Sequence, residues 1–308
     1  MRKETFTKRV KSEMLLSASR ITKKCCRLSL LYGLLITANR FETPSVRFIT
    51  ENAAVADFFT ALLGECFPNT PITREAVGNG EKSEWRIYAD ADEIIARLSD
   101  TETSEKISTY RINKRVFMCD ECAVSFLKGV FISCGNVISP KKSYHLEIVL
   151  QHFSLSREIL YLLKNLGFTP KYTKRGSYYV IYFKESDAIV DILALFGAQK
   201  CSFDYTDAKI ERDIRNNVNR VQNCDLANMA RTANTANRQL EMIEAIISEG
   251  KLECLKPELR QTAIIRINNP ESSLSELGEL HNPPVTKSCV NHRLKKIEEF
   301  CEENCRKD

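Results

Sequence analysis

FLKGVFISCGNV, residues 126–137, and LLYGLLITANRF, residues 30–41, are the two stretches that decide the fold, because each heads the same succession of segments. After the first-repeat copy come SVRFIT (45–50), AVADFFTALLGECF (54–67) and WRIYADADEIIARL (85–98). After the second come YHLEIVL (144–150), SREILYLLKNLGF (156–168) and YVIYFKESDAIVDIL (179–193). Val46, Phe48, Thr50 and Leu146, Ile148, Leu150 alternate with period two, which marks strands because successive side chains point to opposite sheet faces. Ile159, Leu162, Leu163 and Leu166 follow helical spacing, and Gly167 stops that helix. Gly78-Asn79-Gly80 and Arg175-Gly176 stand where each second strand pair must reverse. The sequence therefore predicts two αββαββα halves joined by the polar region 99–115.

A chain of 308 residues has room for about two domains of the usual ~100 to 200 residues each, with a core that needs no disulfides. Its 43% hydrophobic and 28% charged residues, with 11 Gly and 9 Pro, exclude disordered, collagenous and low-complexity classes. The longest apolar stretch, Leu28 to Ala38, is far short of the ~20 residues a bilayer span requires, and no small-residue cleavage site follows the basic residues before it. Neither a span nor a signal peptide is expected, which places the chain in the cytoplasm.

Twelve cysteines raise disulfide and zinc readings. Cys119 and Cys122 form one CxxC, but no second CxxC or suitably spaced Cys/His pair follows, and His145, His152, His281 and His292 are scattered. The expectation is no metal site and no cofactor, with the cysteines as reduced thiols acting as small hydrophobes.

Charge is distributed unevenly around a net +5. Residues 1–28 carry nine Lys/Arg against two acids, residues 29–206 hold 20 basic and 21 acidic residues, and residues 251–308 hold ten of each. The bulk of the chain is thus no polyanion-binding surface. In the last segment, however, Lys287, Arg293, Lys295 and Lys296 occur with no acid between Val285 and Ile297, a pattern that suits phosphate contact or a solvated helix face.

Beyond Phe196 the pattern turns helical. Leu226, Met229, Ala233, Ala236, Leu240, Ile243 and Ile247 form an apolar stripe that Asp225 can cap and Gly250 can end. With Ala and Met prominent, the stripe fits a packed or domain-docking helix better than a dimer coiled coil. A helix from about Pro257 to Ile267 then ends at Asn269-Pro270, and Ser272 or Ser273 caps a short helix carrying Leu274, Leu277 and Leu280. His281-Asn282-Pro283-Pro284 forces a turn, after which Thr286 or Lys287 opens a last helix with Val290, Leu294, Ile297 and Cys301 inward. Three helices ending in a basic one outline a helix-turn-helix, with two prolines where glycine is usual in the turn.

Each repeat helix resembles the LAGLIDADG motif of homing endonucleases, with Gly33 and Gly129 at the motif's first glycine. That resemblance implies close packing of the two helices and a metal-binding acid at each base. Here those positions hold Ala38 and Cys134, and neither supplies the hard oxygen ligand that two-metal hydrolysis requires. Asp120 and Glu121 lie at the opposite end of the second repeat helix. No catalytic residue and no metal ligand is expected.

The degenerate LAGLIDADG pair followed by the C-terminal helices is similar to the WhiA family. The most specific blocks are Cys25-Cys26, the run Asn219 to Ile243 (NRVQNCDLANMARTANTANRQLEMI) and the run Leu274 to Phe300 (LSELGELHNPPVTKSCVNHRLKKIEEF). The resemblance implies an α+β fold: two LAGLIDADG-like repeats forming a saddle, then an all-α helix-turn-helix domain resembling sigma-factor region 4. It implies the divisions 1–28 (basic segment), 29–115 and 116–203 (degenerate repeats), 204–250 (helical linker) and 251–308 (DNA-binding domain). It also implies a non-catalytic, sequence-specific DNA-binding regulator, associated with the nucleoid, acting in sporulation, cell division or chromosome segregation. Cys289 departs from the family's usual Gly, and the N-terminal repeat is divergent throughout.

As a recognition helix, residues 286–300 would present Thr286, Lys287, Ser288, Asn291, His292, Arg293, Lys295 and Lys296 to DNA, with Ser273 on the preceding helix. Asn291 and Lys287 suit base edges, while Ser288, Arg293 and Lys296 suit phosphates. His292 and Arg293 have a second reading, packing against their own domain. Asn217, Asn219, Arg220 and Asn223 read either as a second DNA contact or as loop residues capping a helix. The expected partner is double-stranded DNA, with a sigma factor or another regulator as a protein partner under the alternative of an interaction scaffold.

Overall fold

The structure, a computed structural model, describes residues 5–78, 83–99 and 110–305. By internal contacts it divides into two units, residues 1–213 and 214–308.

The first unit opens with α1 (Phe6–Ala18), and its first repeat comprises α2 (Lys24–Ile36), β1 (Arg40–Glu42), β2 (Ser45–Thr50), α3 (Ala53–Cys66), β3 (Ile72–Val77), β4 (Glu84–Asp90) and α4 (Asp92–Leu98). The second repeat runs α5 (Asp120–Cys134), β5 (Gly135–Val137), β6 (Leu146–Leu150), α6 (Phe153–Asn165), β7 (Lys171–Arg175), β8 (Tyr178–Phe183) and α7 (Ser186–Leu195). Each repeat folds its strands into one antiparallel sheet, in the orders β1-β2-β4-β3 and β5-β6-β8-β7. The predicted αββαββα repeats are therefore present. Val46 and Phe48 are buried in alternation but Thr50 is only half-buried, whereas in β6 Leu146, Ile148 and Leu150 are buried together with Glu147 between them. Gly176 turns β7 into β8 at φ +61°, a conformation that costs glycine little. Asn79 and Gly80 of the matching first-repeat turn, and residues 100–109 of the connecting region, lie outside the described residues.

The axis of this unit is the α2–α5 pair. A Cβ built on Gly33 would lie 2.1 Å from the Phe126 carbonyl oxygen, and one on Gly129 would lie 2.1 Å from that of Leu30. Both distances are far inside van der Waals contact, so the helices cross at a spacing only glycine permits. Around the crossing, Leu30, Leu31, Leu34, Leu35, Phe126, Leu127, Val130 and Phe131 are fully buried, and each repeat's sheet and outer helices pack into the same core. From Thr5 onward the basic N-terminal segment is folded against the unit. Thr5 caps α1 through the Lys8 amide, and Val10, Met14 and Ala18 enter the core, while Lys8 and Arg9 stay exposed and Lys11 reaches inward to the Ser133 carbonyl.

The helical segment differs from expectation. Instead of starting at Asp225, α8 runs unbroken from Gln199 to Ser248, leaving Asp225 and the block Asn217 to Asn223 as exposed mid-helix residues. Among the described residues this helix packs by its ends: Cys201 and Tyr205 enter the first unit's core, and Ile243 and Ile246 the second's, while Leu226 (64% exposed) and Met229 (70%) are exposed.

Candidate nucleic-acid interface

The second unit closes with α9 (Pro257–Asn268), α10 (Leu274–Glu279) and α11 (Lys287–Asn304) around a small core of Ala263, Leu277, Val290, Leu294 and Ile297, joined by Ile243, Ile246 and Leu255. Pro257 sits in the first turn of α9, where its missing N–H costs nothing. Ser273 and Glu276 form a reciprocal capping box at α10: the Ser273 amide donates to the Glu276 carboxylate, which holds that carboxyl below its ordinary pKa, and the Glu276 amide donates to Ser273 Oγ. Thr286 caps α11 by accepting the Cys289 amide, so cysteine at that position leaves the helix start regular.

The turn between α10 and α11 is fixed from both sides. The Val285 amide donates to the Gly278 carbonyl, and a Cβ on Gly278 would lie 2.3 Å from the Val285 oxygen. Buried His281 donates from Nδ1 to the Leu277 carbonyl at 2.7 Å, and its Nε2 lies 2.9 Å from the Thr262 hydroxyl of α9. Leu280, the C-cap of α10, is 51% exposed, and His281 takes the buried place.

On α11, Val290, Leu294 and Ile297 are buried and Cys301 is half-buried, as their spacing predicts. The opposite side carries Lys287, Ser288, Asn291, His292, Lys295 and Lys296, all exposed. Among the described residues none of Lys287, Lys295 and Lys296 forms an ion pair with a neighbour. The acidic half of the helix is held elsewhere: Arg238 of α8 binds Glu298 at 2.5 Å and Glu302 at 3.5 Å. One end of α11 is thereby anchored by charge, and its amino-terminal half presents uncompensated cations, short hydroxyls and an amide. The alternative reading of His292 as a packed side chain does not hold, since it is exposed. Arg293 is half-buried against the domain, with Nη1 lacking a hydrogen-bond partner among the described residues. Ser273 is exposed, yet its hydroxyl is engaged in the α10 cap.

In the first unit, register places Arg40, Arg47 and Arg86 on one sheet face with Glu42, Glu75 and Glu84. In the second sheet Lys171 and Arg175 share a face with Glu147, which Arg175 contacts at 3.3 Å. These faces are close to neutral. At the base of the second repeat helix, Cys134 has a cation nearby: Lys11 reaches the Ser133 carbonyl, and burial drags its ammonium below the ordinary value. Burial likewise pushes the Cys134 thiol up to about 12, so it stays protonated. Asp120 and Glu121 are in the first turn of α5, roughly 20 Å along the helix from Cys134 at ~1.5 Å per residue.

Spacing along the chain concealed one group. Cys25 and Cys26 in the first turn of α2 meet Cys119 and Cys122 at the start of α5, with the four sulfurs within 4.8 Å of one another. These four are free thiols, as expected, but the fold brings them together. The vicinal pair supplies the partners that a second CxxC did not.

Residues 123–215 match the WhiA LAGLIDADG-like domain, and residues 218–301 match the WhiA C-terminal HTH domain. A relative called "Probable cell division protein WhiA" from Clostridium botulinum is 36% identical over 278 residues, covering 88% of this chain and 87% of its own. This chain belongs to the WhiA family. A relative of the same name from Desulforamulus reducens is 35% identical over 292 residues, covering 91% of both chains. The crystal structure of full-length DUF199/WhiA from Thermotoga maritima superposes with a TM-score of 0.61 at 26% identity, covering 99% of this chain and 100% of that one. The WhiA LAGLIDADG-like match begins inside α5, so the divergent first repeat lies outside it, and the WhiA HTH match begins inside α8.

Proposed function

We propose that this WhiA-family chain is a non-catalytic, sequence-specific DNA-binding regulator in which α11 enters the major groove. The observation that carries this reading is the division of α11 into an exposed basic half and an acidic half bound to Arg238. Thr286 at the cap, with the free amides of the first turn, suits a phosphate; Ser288 and Lys296 flank it; Asn291 and Lys287 project where base edges lie. Ser273, held in its cap, contributes through position on α10, and Arg293 reaches the backbone from the domain edge. The names of the relatives support a role connected with cell division, exercised by regulating transcription of division, sporulation or chromosome-segregation genes on the nucleoid.

The test is Asn291→Ala, which removes a side chain able to bond adenine bidentately and is expected to cost about 1 to 3 kcal/mol on a cognate duplex. Binding to scrambled duplex should be unchanged. Titration of both duplexes at several salt concentrations checks this, and an intact cognate-to-scrambled ratio would remove Asn291 from the reading role.

The bases of the helix pair support the absence of cleavage, since they offer an alanine, a protonated thiol and a lysine where hydrolysis needs carboxylates. Supercoiled plasmid incubated with the chain and magnesium or manganese is expected to stay intact. Chelator-sensitive nicking above a protein-free control would overturn this. The near-neutral sheet faces favour a second role for the first unit, holding a sigma factor or another regulator.

A further inference from the structure

We propose that Cys25, Cys26, Cys119 and Cys122 bind one zinc ion as a tetrathiolate that joins the amino-terminal ends of the two repeat helices. Among the described residues Cys119 Sγ lies 3.7 Å from Cys25, 3.4 Å from Cys26 and 3.5 Å from Cys122, and all four sulfurs lie within 4.8 Å. A tetrahedral ion with zinc–sulfur bonds of about 2.3 Å needs sulfurs about 3.8 Å apart, so the three contacts of Cys119 need widen by only about 0.1 to 0.4 Å around a single centre. A multi-iron cluster would need its cysteines spread around a larger body. Four soft donors with no carboxylate or imidazole among them exclude magnesium and calcium in favour of zinc.

The electrostatics favour the same occupant. Four thiols binding Zn²⁺ release four protons and leave a complex of net charge −2, which must be balanced in a half-buried place. Cys25 and Cys26 lie in the first turn of α2, Cys119 is the N-cap of α5, and Cys122 is in its first turn. Two helix amino termini, each carrying partial positive charge, thus converge on the sulfurs. Lys23 pairs with Glu121 at 2.9 Å at the rim, and Glu121 in turn stands 3.9 Å from Cys26 Sγ, so this pair adds no net charge and the balance falls to the helix termini. Cys26 and Cys122 are buried while Cys25 and Cys119 are half-buried, which leaves the ion a route in from solvent. The two pairs are separated by nearly the whole first repeat, so the ion would close a long loop and fix the ends of helices whose middles are fixed at Gly33 and Gly129.

The untagged full-length chain, purified reduced and without chelator, is expected to carry one zinc per chain by elemental mass spectrometry. Four of its thiols should resist a thiol-reactive chromophore until a strong chelator is added. Cobalt(II) added to the stripped protein should give the intense visible bands and near-ultraviolet sulfur-to-metal charge transfer of a tetrahedral tetrathiolate. That readout needs no mutant. Cys26→Ser and Cys122→Ser should each abolish stoichiometric zinc, whereas Cys224→Ser, at an exposed site on α8, should retain it. Substoichiometric zinc with no cobalt spectrum would overturn the proposal. So would iron in place of zinc, or a disulfide among these four thiols in protein isolated under reducing, anaerobic conditions.

Discussion

Gly129→Ala is expected to destabilise the first unit by at least ~3 kcal/mol, at or above the upper end of ordinary overpacking. The added methyl would stand 2.1 Å from the Leu30 carbonyl oxygen and 3.0 Å from the Leu34 amide nitrogen, so a flexible side chain cannot swing aside to admit it. The helices must separate instead, and Leu30, Leu34, Phe126 and Val130, all fully buried, would lose contacts along the whole crossing. Gly64→Ala in α3 is the matched control: its nearest neighbour would be the Ile72 Cδ1 at 3.8 Å, and replacing a mid-helix glycine there should stabilise by roughly 0.5 to 1 kcal/mol. Urea unfolding of both variants measures the contrast. A Gly129→Ala midpoint equal to wild type would mean that the helix pair does not pack as described.

Replacing Lys295 and Lys296 together with alanine is expected to lower the salt dependence of DNA binding by about 0.9 per lost phosphate contact, or roughly 1.8 in log–log slope. At 0.15 M salt that corresponds to a loss on the order of 30-fold in affinity if binding converges near 1 M. Cognate and random duplexes should weaken together, because phosphate contacts carry position rather than sequence. The fold should be unaffected, since both side chains are exposed and neither is ion-paired among the described residues. Fluorescence-anisotropy titrations over a salt series, with thermal melts of the variant alongside, check both halves. An unchanged slope would remove α11 from the phosphate backbone.

Periodicity revealed what repeats locally. The strand alternation at Val46 and Phe48, the stop at Gly167 and the inward set on α11 were all legible because each depends on residues a few positions apart. The helix crossing was legible through Gly33 and Gly129, whose role the family resemblance supplied and whose close approach the structure shows. The start of α8 was misread because Asp225 is a good cap but no breaker. The true signal was the lack of any Gly or Pro from Gln199 to Ser248. The exposed midsection of that helix is invisible to a stripe analysis, which registers spacing but not whether a partner is present. The four-cysteine cluster was hidden by distance along the chain, since only the meeting of α2 and α5 brings a vicinal pair to a CxxC. For the candidate interface the sequence supplied the residue types on α11, while the Arg238 anchor that leaves its basic half free required the packing of α8.

The most direct test of base reading by α11 is selection of binding sites from a random-duplex library with the full-length chain and with Asn291→Arg. Asparagine pairs bidentately with adenine and arginine with guanine, so the selected motif should change from A to G at one position while the remaining positions keep their preference. An identical motif from both proteins would contradict the assignment of sequence reading to this helix.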